Sequence, residues 1–223
     1  MTFSIVARDE TGAFGSAISS SSPAVAARCV HLADGIGAVN SQNVTDPRLG
    51  PLLLTALRSG ASAAEAVDAV TAQTPHIAFR QLLVVDAEGR SAVYSGERAL
   101  GRVAAATGHG VAAGGNMLAS HEIPQRMVDA FHAAEGELEH RLLAAMRAAV
   151  AAGGEEGPVH SAGLAVVRDA GWRVTDLRVD WSETDPIAEL DDLVQRWLPQ
   201  RDDYVTRALA PSDAPSYGVP GDE

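Results

Sequence analysis

The chain of 223 residues has a formal net charge of −12 and an isoelectric point near 4.9, and 46% of its residues are apolar. That length suits one sizeable core, the acidity without a basic cluster argues against nucleic acid as a partner, and no apolar run approaches a membrane span. All seventeen basic residues are arginine, so Schiff-base and Ser-Lys mechanisms are excluded.

The chain opens on Thr2-Phe3-Ser4-Ile5-Val6-Ala7-Arg8-Asp9, in which Phe3, Ile5 and Ala7 alternate with Thr2, Ser4 and Val6. That is strand periodicity, and with Thr11-Gly12 as a turn and a second strand over 14–20 it predicts a hairpin. Ser19 to Ser22 and Pro23 end it. A third strand over 35–42 runs into the polar series Asn40, Ser41, Gln42 and Asn43. Helical spacing begins at Arg48, and Ser62 with Glu65 forms a capping box for a second helix that runs to about Gln73.

Strand pairs return over 81–86 and 91–95, with weaker strand signals at 101–106 and 111–113. Helices follow over 121–134 and 138–152, then a hairpin over 161–168 and 172–179, and a helix that Asp185-Pro186 starts. The three tryptophans, Trp172, Trp181 and Trp197, are expected in the core. Periodicity is lost after Pro199, so a single domain is expected over 1–198 and a partly disordered or surface-wrapping tail over 199–223. Grouped hairpins with grouped helices predict an α+β protein with two mainly antiparallel sheets covered by helices, and not βαβ repeats.

One reading of chemistry starts at Thr2. Removal of Met1 places a free amine beside a hydroxyl, a nucleophile and its base on one residue. Asn116, which follows Gly114-Gly115, is the first candidate for oxyanion stabilisation, with a self-satisfied turn residue as the competing reading. Gln42, Asn43, Gly115 and Ser161 are candidates for holding substrate; for Gln42 and Asn43 the alternative is capping of the strand end. His160 and Ser161 make a poor dyad, because adjacent strand residues face opposite ways. Asp9 lies too far along the strand to touch Thr2.

Other constellations fail. The seven histidines have no ligand spacing, so no metal is expected, and Gly108-x-Gly110 lacks the helix of a dinucleotide site, so no cofactor is expected. No Gly-x-Ser-x-Gly elbow occurs. Cys29 is read as a small buried hydrophobe, and the absence of a signal-peptide pattern predicts a cytoplasmic protein.

The opening segment 2–9, the block Gly35-Ile36-Gly37-Ala38-Val39 leading through Gln42 to Leu49-Gly50-Pro51, the segment Gly115-Asn116-Met117-Leu118, and Asp176 to Asp180 with Asp185-Pro186 together resemble the DUF1028 family. The resemblance spans Thr2 to about Trp197. It implies the four-layer αββα sandwich of the N-terminal nucleophile (Ntn) hydrolases, and Thr2 as nucleophile. The serine run 19–22 and Pro158-Val159-His160-Ser161 depart from the family's usual residues, which puts the pocket's shape and polarity in question. The function expected is an amidohydrolase acting on a small-molecule or peptide-like amide, as a homodimer. The alternatives are a non-catalytic binding or scaffolding protein on the same fold and, ranked lower, cell-wall peptide processing.

Overall fold

The computed structural model describes residues 2–219 and 221. Strand β1 (Thr2–Arg8) is buried along its length except at Arg8. It pairs antiparallel on one side with β2 (Phe14–Ser20) and on the other with β8 (Val111–Asn116), so that Ile5 faces Ala17 and Ala113. With β7 (Ala104–Gly108), β9 (Ser161–Val167) and β10 (Arg173–Val179), these strands form a six-stranded sheet in the order β10-β9-β2-β1-β8-β7. A four-stranded sheet takes β3 (Val30–Ala33), β4 (Gly37–Asn43), β5 (Arg80–Asp86) and β6 (Ser91–Ser95) in sequence order.

The period of two sorts each strand's side chains between two cores. Phe3 and Ile5 join Met127 and Phe131 of α4 (Ile123–Ala133) and Leu142 and Met146 of α5 (Leu138–Ala151). Helix α6 (Pro186–Leu209) completes that cover through Ile187, Leu190 and Val194. On the other side of the molecule, Val39, Leu82 and Val84 pack under α2 (Leu49–Arg58) and α3 (Ala63–Gln73). Between the sheets lie Val6, Phe14, Ala38, Leu83, Val85, Ala112 and Val167. The result is helices, sheet, sheet, helices: the expected four-layer αββα sandwich.

The space between the sheets is apolar at one end and polar at the other. Two residues from Val6, Ser4 donates through Oγ to Gln42 Oε1 at 2.6 Å, and Gln42 Nε2 donates to Gln81 Oε1 at 2.9 Å. Ser16 likewise donates to Asn40 Oδ1 at 2.9 Å. These bonds fix how one sheet sits on the other, since a slip would leave several buried polar groups unpaired.

Several elements follow their sequence signals closely. Ser62 and Glu65 make the reciprocal capping box, and Asp185 accepts from the amides of Ile187 and Ala188 with Pro186 in the first turn. Three features differ from expectation. A five-residue helix, α1 (Val25–Cys29), and the short β3 follow the serine run; Val25, Ala26 and Cys29 fill the space over Ile18 and Ala165. Trp172 and Trp181 are 39% and 47% exposed, and only Trp197 is partly buried, donating to Val174 O at 3.1 Å.

The third difference is at the carboxyl end. Helix α6 does not stop at Leu198 but runs through Pro199 to Leu209. An interior proline removes one helix bond. Tertiary contacts compensate, because Arg201 is 3% exposed and donates to both Glu137 and the buried Glu139, whose Oε1 also accepts from Thr175 at 2.6 Å. Arg201→Ala strands the Glu139 carboxylate, with Thr175 as its remaining partner, and is expected to cost about 2–4 kcal/mol in a urea unfolding curve, far more than loss of a surface ion pair.

Candidate active site

The polar end of the sandwich is also the end at which β1 begins. Thr2 is the register partner of Asn116, Ser20 is the partner of Ser161, and the pairing of Phe3 with Ser19 brings Ser20 beside Thr2. Residues directly opposite on antiparallel strands share a face. Asn116, Thr2, Ser20 and Ser161 therefore form one row across β8, β1, β2 and β9, facing the second sheet. Thr2 is 5% exposed and the other three 1% or less.

Half of the row is committed to structure. The Thr2 hydroxyl donates to Ser20 Oγ at 3.3 Å, and Ser20 Oγ accepts from the Ser22 amide at 3.1 Å. Ser161 Oγ donates to Ser22 O at 2.6 Å and accepts from the Val25 amide at 3.3 Å. Ser161, expected to hold substrate, thus anchors the turn into α1. His160 faces away, stacked on Trp181 at 4.3 Å, with Nδ1 2.8 Å from Ser182 O, so it forms no dyad with Ser161.

The other half differs. Asn116 is 1% exposed, yet neither Nδ2 nor Oδ1 has a hydrogen-bond partner among the described residues. Leaving a buried polar atom unpaired costs about 1–3 kcal/mol, and native proteins rarely tolerate it without a use. The backbone around this residue is tightly constrained. A Cβ at Gly115 would meet Leu118 Cδ2 at 2.6 Å and Thr2 O at 2.9 Å, so only glycine lets β8 pass this close to the start of β1. Immediately after Asn116, Met117 takes a left-handed conformation at φ 51°.

Gln42 and Asn43 lie in the facing sheet. Gln42 lies one register step behind the row, its amide spent on Ser4, Gln81 and Gly114 O. Asn43 is at the end of β4 at φ 74°, donates to Phe79 O at 2.5 Å and accepts from the Leu100 amide at 3.2 Å. Cys29 is 1% exposed, and burial raises its thiol pKa, as suits a packing residue.

One residue near the start of β1 carries no signal in the sequence pattern. Leu118 makes an isolated antiparallel bridge with Glu155, flanked by bonds from the Ala119 amide to Gly154 O and from the Glu156 amide to Met117 O. Glu155 is 5% exposed, and among the described residues neither carboxylate oxygen has a hydrogen-bond partner. Burial pushes its pKa up to about 7, against the opposing pull of the amino-terminal charge and of Ser21. It lines a cleft of about 300 Å³ with Phe3, Pro158, Val159, Thr184 and Asp185. Its setting, Gly153-Gly154-Glu155-Glu156-Gly157, has neither helix nor strand periodicity. Only its position in the folded chain distinguishes it from the other acidic residues.

Among the described residues no group of histidine, cysteine and carboxylate side chains is arranged to hold a metal ion, and no helix is long and apolar enough to cross a membrane.

The chain matches the model of a family of unknown function, DUF1028, over residues 2–190. It is similar to the crystal structure of protein SPO2555 from Silicibacter pomeroyi, assigned to the same family, with 34% identity over 87% of this chain and 88% of that one and a TM-score of 0.81. Anbu (ancestral beta-subunit) from Yersinia bercovieri aligns over 88% of this chain and 97% of that one, with 11% identity and a TM-score of 0.41. No curated protein matches.

The Glu155 carboxyl makes stability depend on pH. Its folded pKa is raised, so between about pH 4.5 and 7 the folded chain keeps a proton that the unfolded chain has released, and stability falls as pH rises through that window. Glu155→Gln is expected to flatten this part of a stability-against-pH curve, a change of at most about 3 kcal/mol by chemical denaturation.

Proposed function

The chain belongs to the DUF1028 family, and we propose that it is an amidohydrolase of the N-terminal nucleophile type, with Thr2 as nucleophile once Met1 is removed. The observation that carries this reading is the Asn116 side chain. It is a buried amide with no partner among the described residues, on the strand directly beside Thr2 and on the same face.

The chemistry follows from that adjacency. The free α-amine of Thr2, with a pKa of about 7.7–8 in a simple peptide, is partly neutral near pH 7 and takes the Oγ proton. Oγ attacks an amide carbonyl, and the Asn116 Nδ2–H group donates to the oxygen as it gains charge. Collapse of the intermediate expels an amine and leaves an acyl ester on Thr2, which water then hydrolyses. Because Asn116 keeps its donor unspent in the resting site, it has no bond to give up when the oxyanion forms. The burial of the row between the two sheets supports a small or slender peptide-like amide over a bulky one.

This reading depends on processing. Intact mass of the natively expressed protein is expected to lack Met1; a chain that uniformly retains it leaves the fold to a non-catalytic binding role. A β-lactone acylating agent is expected to add once to the Thr2 protein and not to Thr2→Ala. With a panel of small amides, Thr2→Ala is expected to abolish turnover, and Asn116→Ala to lower kcat by about 10²–10³-fold. Equal turnover by wild type and Thr2→Ala removes Thr2 from the mechanism.

A further inference from the structure

The Thr2 reading leaves one buried group at the site without a role. Strand β1 is flanked by two strands that outrun it: past Asn116 the chain continues through Met117 to Leu118, and past Ser20 it continues to Ser21. The segment carrying Glu155 is bridged to Leu118, and Ser21 acts on the Glu155 carboxyl from the other side. The bridge to Leu118, two residues past the partner of Thr2, therefore places Glu155 beside the start of β1, where the backbone nitrogen of Thr2 lies. Phe3 lines the same cleft, and the nearest approach to a Cβ on Gly154 is Phe3 Cε1 at 3.8 Å.

We propose, on the premise that Thr2 is the nucleophile, that Glu155 is the positioning residue for its α-amine: the carboxylate orients the amine toward Oγ and stabilises the ammonium that forms when the amine takes the Oγ proton. Each step balances. The Oγ–C bond forms as the carbonyl electrons move to oxygen; the ammonium then returns its proton to the departing nitrogen as the C–N bond breaks. In the second half the amine takes a proton from water, the resulting hydroxide attacks the ester, and Oγ leaves and recovers that proton. Glu155 acts in its ionised form, which predominates above about pH 7, and touches no reacting carbon, a relation like that of the aspartate to the histidine in a Ser-His-Asp triad.

Neighbouring charges do not supply this function. Arg102 donates to Glu156 and to the carbonyls of Leu118 and Ala119. Asp185 is spent on the first amides of α6, and His160 is stacked on Trp181 with its Nδ1 at Ser182 O. None of them bonds to the Glu155 carboxylate.

The sequence makes a direct test possible. With no lysine, the α-amine is the primary amine that acetic anhydride can reach, so its titration can be read by intact mass. Full-length protein trimmed to begin at Thr2 is pulse-acetylated from about pH 5 to about pH 9, as wild type, Glu155→Gln and Glu155→Asp, each checked for folding by near-ultraviolet circular dichroism. Loss of the carboxylate is expected to lower the midpoint by about one unit in Glu155→Gln, with a smaller fall in Glu155→Asp. In turnover, the acid limb of the kcat profile moves down by the same amount while KM changes little. Midpoints equal to wild type in the folded variants overturn the assignment; should Glu155→Gln not fold, Glu155→Asp alone decides. The titration needs no turnover. Undiminished turnover by Thr2→Ala therefore defeats the nucleophile reading, whereas an unchanged midpoint defeats Glu155 alone.

Discussion

The arrangement depends on β1 beginning in the interior of a sheet. A strand at a sheet edge holds its first residue by one set of ladder bonds and lets it fray. Here β2 and β8 clamp β1 from both sides, and two cores close on its alternate side chains, Phe3 and Ile5 below and Val6 above. Thr2 is thereby fixed to the tolerance of a packed core, which loops rarely provide and chemistry at one hydroxyl requires. The same clamp fixes Asn116, because the two residues are register partners.

The polar row carries an energetic cost that the rest of the fold offsets. The buried amide of Asn116, with no hydrogen-bond partner among the described residues, costs on the order of 1–3 kcal/mol, a sizeable share of a domain's net stability, and burial of the Glu155 carboxyl adds a cost of its own. The Ser4–Gln42–Gln81 bridge lies one register step from the row and is satisfied at each end, with Gln81 Nε2 donating onward to Ser95 Oγ at 3.0 Å and Gly115 O at 3.2 Å. The unpaired Asn116 amide lies in the outer row, with the Ser4–Gln42–Gln81 network directly behind it and apolar packing behind that. Because Gln42 and Gln81 are spent on one another and on their own partners, they are not drawn to Asn116.

The sequence made the architecture legible wherever a local rule was strong. Alternation in 2–8 gave the central strand, Ser62 with Glu65 gave a helix start, and Asp185-Pro186 gave another. Thr2 and Asn116 stand out by residue type, as a nucleophile and an oxyanion donor would, and the fold makes them register partners. Where tertiary contacts overrode local signals, reading failed. Pro199 marks a helix end by backbone chemistry, yet Arg201, buried against Glu139, and Trp197, bonded to Val174 O, carry α6 past it. Trp181 is large and apolar, which argues for burial, but it covers the His160 ring at the surface and its indole N–H reaches Glu183. Glu155 could not be found in this way at all. It is one of twenty-nine acidic residues, and what sets it apart is a single bridge to Leu118, formed between segments that no periodicity connects.

The row is asymmetric in how its side chains are held. On the β2 and β9 side, Ser20 and Ser161 are tied to residues 22–25, so that side is closed by its own hydrogen bonds. On the β8 side the amide of Asn116 has no such ties among the described residues, and next to it runs the loop before β7. Leu100 accepts from the Met117 amide at 3.0 Å while its own amide donates to Asn43, and its side chain is 47% exposed. Asn43 thus helps to set where Leu100 stands, and Leu100 holds the Met117 amide immediately after Asn116. Specificity in such a site resides in these walls and not in the nucleophile. On the proposed mechanism a carbonyl must meet both Thr2 Oγ and Asn116 Nδ2, and of the two sides of the row it is the β8 side, where Asn116 makes no hydrogen bond among the described residues, that leaves a donor for it.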